Sequence, residues 1–127
     1  MSRTVAVAVL FCAAAAGSCR GGNPEEGLGY NLRIGGDPIR GIGVIEQSSC
    51  GACHTIPGVR GAHGMAAAPL IWFSRRTFIA GEVPNTPENL VRWVRSPQSI
   101  EARTAMPAVG LSDQQARDVA AYLYTLR

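Results

Sequence analysis

The chain has 127 residues, a one-domain length, and its twelve basic side chains are all Arg, set against nine acidic ones. A formal net charge of +3 with no basic run or stripe excludes an electrostatic nucleic-acid binder, and 46% hydrophobic against 17% charged residues excludes a disordered polyelectrolyte. Aromatics are only 6% and glycines number fifteen, little bulk for a core built from protein alone, which raises the question of what the chain folds around.

In chain order, Arg3 precedes an uncharged stretch, Val5–Ala16. A membrane-crossing helix takes about 20 apolar residues, so this one is too short. A charged start, a short apolar centre and small residues after it describe a secretory signal over residues 1–18. Ala16-Gly17-Ser18-Cys19 resembles the lipobox of bacterial lipoproteins, with Ala where that motif prefers Leu. The resemblance implies cleavage before Cys19 and lipidation of its thiol; the alternative is ordinary signal cleavage nearby. Cys12 leaves with the leader, and Cys50 and Cys53 are then too few for a disulfide framework.

Residues 19–37 are rich in glycine and lack apolar periodicity, so they read as a lipid-anchored flexible tether. The folded domain is expected over 38–127. Its first helix is predicted at 38–49, with Asp37 as N-cap, Pro38 at the first position and Ile42 and Ile45 on the apolar face. Gly41 and Gly43 are poor helix formers, and a glycine on a packing face admits another helix closely.

Cys50-Gly51-Ala52-Cys53-His54 follows, a Cys-x-x-Cys-His motif. It reads as covalent attachment of one haem c: two thiols at this spacing reach two vinyl groups, and the adjacent imidazole ligates the iron. A dithiol redox pair is the second reading, but the βαβ pattern it usually accompanies is missing. A zinc site is the third, although zinc takes four ligands and only His63 remains as an obvious extra.

Residues 55–70 read as a loop, and 71–80 are ambiguous in class. A second helix opens at Thr86-Pro87-Glu88, with Leu90, Val91, Trp93 and Val94 as its apolar stripe, and Pro97 ends it. A loop to Gly110 carries Met106-Pro107. A third helix opens on the capping box Ser112–Gln115, with Ala116, Val119, Ala120, Leu123 and Leu126 on its apolar side. The fold class is all-α, with three to four short helices around the haem. An electron-carrying haem takes a second protein ligand. Of His63, Met65 and Met106, the last is taken as that ligand, in a loop stiffened by Pro107, and the other two as loop surface.

These residues resemble the class I c-type cytochromes over residues 38–127. Gly41 and Ile45 match that family's helix-crossing pair, with Tyr122 and Leu123 as the contact and Ile in place of the usual aromatic. Ala68-Pro69-Leu70 looks like its Gly-Pro-x-Leu segment, with Ala for Gly, which implies that the Pro69 carbonyl accepts the imidazole N–H. Trp93 resembles the tryptophan that donates to a haem propionate, and Arg75 and Arg76 are candidate propionate partners. CGACHTIPGVRG, SRRTFIAGEVPNTPENLVRWVRSPQ and AMPAVGLSDQQARDVAAYL look closer still to the cytochrome c domain of subunit II of haem-copper terminal oxidases, here detached.

The expected function is single-electron transfer in a respiratory chain with His54/Met106 ligation, not enzymatic chemistry. The expected partners are redox proteins, such as a terminal oxidase or a quinol-oxidising complex, and a membrane through the lipid anchor, with no nucleic acid. The expected location is the outer face of the cytoplasmic membrane or the periplasm, with the outer membrane also open. Two alternatives remain: a haem-based gas sensor or small peroxidase with an open iron site, and a structural subunit that passes electrons only within a complex.

Overall fold

The structure, a computed structural model, describes residues 33–127. The signal segment, Cys12, Cys19 and residues 19–32 of the expected tether lie outside the described residues.

Three helices form where the capping signals place them. The first, α1 (Pro38–Gln47), starts at Asp37, whose carboxylate accepts the N–H groups of Ile39 and Arg40. It ends two residues short of the expected 49, and the chain turns at Ser49 (φ 58°) into a 3₁₀ turn at Cys50–Ala52. The second helix, α2 (Pro87–Arg95), is capped by the Thr86 hydroxyl, which accepts the Asn89 N–H. The third, α3 (Asp113–Leu123), carries both halves of the Ser112–Gln115 capping box.

The ambiguous 71–80 segment resolves into a 3₁₀ turn (Phe73–Arg75) and a minimal antiparallel hairpin. In it, β1 (Phe78–Ile79) pairs with β2 (Val83–Pro84), Ile79 opposite Val83. Two residues per strand leave the fold all-α.

The frame is the crossing of α1 and α3, with α2 packed against α3. Gly41 permits the crossing: a Cβ there would lie 2.2 Å from the Asp118 carbonyl oxygen and 3.0 Å from the Tyr122 Cβ. The contact includes the expected Tyr122 and extends one turn earlier to Asp118, whose backbone carbonyl meets the glycine most closely. Ile45, Leu90, Ala116, Ala120 and Leu123 are buried around it.

Asp118 is the one buried charge among the described residues. Its carboxylate accepts from Arg40 Nε and Nη2 (both 3.0 Å), the Asp37 N–H (2.8 Å) and the Gln114 amide (3.0 Å). Burial alone would raise its pKa; the guanidinium and the two N–H donors outweigh that and hold it below the ordinary carboxylate value.

The flexible-tether boundary at 37 is corrected by the same contacts. Ile34 is buried, and the Ile34 and Gly35 carbonyls accept from Arg117 and Gln114. A Cβ at Gly36 would lie 2.1 Å from the Arg117 carbonyl oxygen. Residues 34–37 belong to the fold: Gly36 serves a close approach to α3, and Gly35 takes a left-handed turn (φ 64°) that leaves its carbonyl bonded to Gln114.

Candidate functional site

One cleft, of about 390 Å³, collects the chemistry singled out in the sequence. Ser48–Cys50, Cys53 and His54 line it from one side; Thr104–Pro107, Val109 and Leu111 line it from another. Ala66–Ala68, Leu70, Ala80, Trp93 and Val94 complete a mostly apolar wall.

The Cys50–Ala52 turn presents the two thiols to one space. Among the described residues both cysteines are free thiols. Burial pushes the Cys50 thiol above its ordinary pKa, so it stays protonated at neutral pH. The segment is held close to its neighbour by glycines. A Cβ on Gly51 would meet the Ala62 Cα at 2.6 Å, and one on Gly64 would meet the Ala52 carbonyl oxygen at 2.4 Å.

His54 stands in the cleft with its tautomer fixed. Its Nδ1 lies 2.7 Å from the Ala68 carbonyl oxygen. A carbonyl only accepts, so Nδ1 carries the proton and Nε2 keeps the lone pair that a metal takes. This corrects the Pro69 assignment: the orienting carbonyl is Ala68's. Ala67 N–H donates to the Cys53 carbonyl and Leu70 N–H to that of Thr55, which sets the register of 67–70 against 53–55. The Pro69 carbonyl accepts instead from Arg76.

Met106 reaches the cleft from the loop after α2. Its backbone is held at both ends: Gln98 Nε2 donates to its carbonyl at 2.7 Å, and its N–H donates to Thr104 Oγ1 at 3.2 Å. The rival ligands lie elsewhere, since Met65 is 92% exposed and neither it nor His63 lines the cleft.

The propionate candidates divide. Trp93 lines the cleft half-buried, and among the described residues its indole N–H meets no protein acceptor. Arg76 also lines the cleft, with its guanidinium 5.5 Å from the centre of the Phe73 ring. Arg75 does not line it and is exposed. Its neighbours set this: Phe73 is buried and Ser74 is bonded to the Leu126 carbonyl, so the tight turn leaves Arg75 on the outside.

The residues present fit a covalently held haem. Two unpaired thiols and a lone-pair-bearing imidazole nitrogen share a mostly apolar cleft with a thioether, and an unsatisfied indole N–H and an Arg border it. Zinc is not favoured, because no cluster of three or more His, Cys, Asp or Glu suited to a metal ion occurs among the described residues. Gln98 and Ala68 were missed in the sequence. Nothing in their residue types marks them, since both act through a contact that only the folded loop creates.

Comparison with known proteins follows the same residues. The family model described as cytochrome c matches residues 39–127. The chain is 38% identical over 90 residues to cytochrome c oxidase subunit 2 of Alkalihalophilus pseudofirmus, covering 69% of this chain and 25% of that protein. It is 31% identical over 96 residues to cytochrome c oxidase subunit 2 of Bacillus sp. (strain PS3), covering 72% of this chain and 27% of that protein. The chain thus spans about a quarter of the length of these relatives.

Proposed function

The chain belongs to the cytochrome c family, and from that premise we propose that it carries one covalently attached haem c and transfers single electrons with His54 and Met106 as axial ligands. The observation that carries this reading is the cleft in which Cys50, Cys53, an oriented His54 and Met106 converge. When bound, haem c supplies a one-electron ferrous–ferric couple.

The protein's own groups do the rest. Cys50 and Cys53 form thioether bonds and fix the cofactor's place. The Ala68 carbonyl fixes the His54 ring so that Nε2 faces the iron and the ligand is the same before and after transfer. Met106 would supply a thioether as the second protein ligand, which with the apolar wall would favour the reduced form. Trp93 donates its indole N–H to a propionate, and Arg76 supplies the neighbouring positive charge.

The likeness to cytochrome c oxidase subunit 2 supports a respiratory role, with a terminal oxidase as acceptor or host complex. Cleavage before Cys19 and its lipidation tether the domain at the outer face of the cytoplasmic membrane.

Mass analysis of the mature protein tests attachment. The reading expects the mass of one haem retained after denaturation and lost from the Cys50→Ala/Cys53→Ala variant. Retention of haem by that variant would overturn the covalent assignment. Carbon monoxide tests the rival function: the reduced protein is expected to bind it slowly at neutral pH, whereas rapid binding would favour a sensor or small peroxidase.

A further inference from the structure

The loop that delivers Met106 is not held by its own backbone. From Ala105 to Leu111 no backbone–backbone hydrogen bond forms among the described residues. Pro107 fixes one φ angle but removes a donor. The two polar backbone groups of Met106 are instead taken by two side chains, Gln98 at the carbonyl and Thr104 at the N–H.

These two partners differ in mounting. Thr104 is in the loop, two residues away, and bonds only locally. Gln98 stands on a separate and rigid base. It is the middle residue of the Pro97–Ser99 3₁₀ turn, in which Pro97 is fully buried and Ser99 Oγ donates to the Ser96 carbonyl at 2.7 Å. That turn packs against α2, the helix that brings Trp93 and Val94 to the same cleft. Among the described residues, Gln98 is therefore the one side chain that ties the Met106 backbone to the helical frame.

We propose that Gln98 is a positioning residue for the Met106 ligand: its amide, held on the buried Pro97 turn, keeps the Met106 thioether at the haem iron. The proposal rests on the reading of Met106 as an axial ligand. The chain then has a structural reason to be a carrier rather than a gas binder. The iron stays closed because a loop without internal hydrogen bonds is clamped from outside. Without the clamp, the thioether leaves more often and a small ligand competes for the position.

The test uses the mature holoprotein and three variants, read by the thioether-to-iron charge-transfer band of the oxidised form and by carbon monoxide binding to the reduced form. Gln98→Leu removes the donor without adding charge, and Gln98→Lys retains a donor on an exposed, flexible stem. Met106→Ala reports the loss of the ligand itself. The expected result is a weakened band and carbon monoxide binding about threefold to tenfold faster in Gln98→Leu, the weight of one hydrogen bond, with behaviour near the parent's in Gln98→Lys.

A purely structural role would lower the melting temperature of Gln98→Leu while leaving the band and the binding rate at parental values, and that outcome overturns the proposal. Equal changes in the Leu and Lys variants also overturn it, because the donor is then irrelevant. If Met106→Ala keeps the band, the ligand assignment fails and the positioning role falls with it. Loss of the band in Met106→Ala with a parental Gln98→Leu refutes the positioning role alone.

Discussion

At the scale of single residues, the site works by fixing which lone pair or proton points where. The Ala68 carbonyl sets the His54 tautomer, and Asp118 ties α1 to α3 through Arg40 and the Asp37 N–H. Asp118→Asn keeps the shape but loses the ion pair, and chemical denaturation is expected to show a loss of about 1–3 kcal/mol. The pH dependence has a definite sign. The folded pKa of Asp118 lies below its unfolded value of about 3.9, so its contribution is full above that value and fades as pH falls through the folded pKa. Stability of the parent should fall more steeply than that of Asp118→Asn in acid denaturation followed by circular dichroism below about pH 4. The Cys-x-x-Cys-His motif on which the proposed haem site rests is legible in the sequence, because its spacing is itself the chemistry. The carbonyl facing His54 and the end of the tether were not legible, because carbonyl direction and close backbone approach are set by neighbours far along the chain.

Among the elements, the helix starts were legible and the irregular segments were not. Asp37, Thr86 and Ser112 cap where they were expected, since an N-cap acts within three residues and needs no tertiary partner. Ser112→Ala removes the acceptor for the Gln115 N–H and is expected to cost about 1 kcal/mol, or roughly 4–8 °C in melting temperature. The hairpin at 78–84 escaped detection because two-residue strands carry no alternation to read. The α1–α3 crossing is the element contact with least room. Gly41→Ala drives a methyl onto the Asp118 carbonyl, and because backbone must move, thermal melting should show a larger loss than Ser112→Ala.

For the whole molecule, the cleft accounts for the composition. A domain with few aromatics and, among the described residues, three short helices encloses a mostly apolar space lined by the only two described cysteines, so the proposed haem would complete the core. Protein prepared without haem is expected to lose much of its helical circular dichroism and to melt without a cooperative transition. The rim of that cleft has a further consequence for partners. Its segments 66–70 and 105–111 contain no charged residue, Arg76 is the one Arg in its lining, and the net charge of the chain is only +3. Electron transfer to a physiological acceptor should therefore slow less than tenfold between low and high salt, as stopped-flow kinetics can show. The central claim is a reversible one-electron centre with both axial positions filled by the protein. The most direct measurement is a redox titration of the visible spectrum of the mature protein. Reduced protein should show sharp low-spin haem c bands that rise and fall along a single one-electron wave; broad high-spin bands, or no reversible wave, would refute ligation by both His54 and Met106.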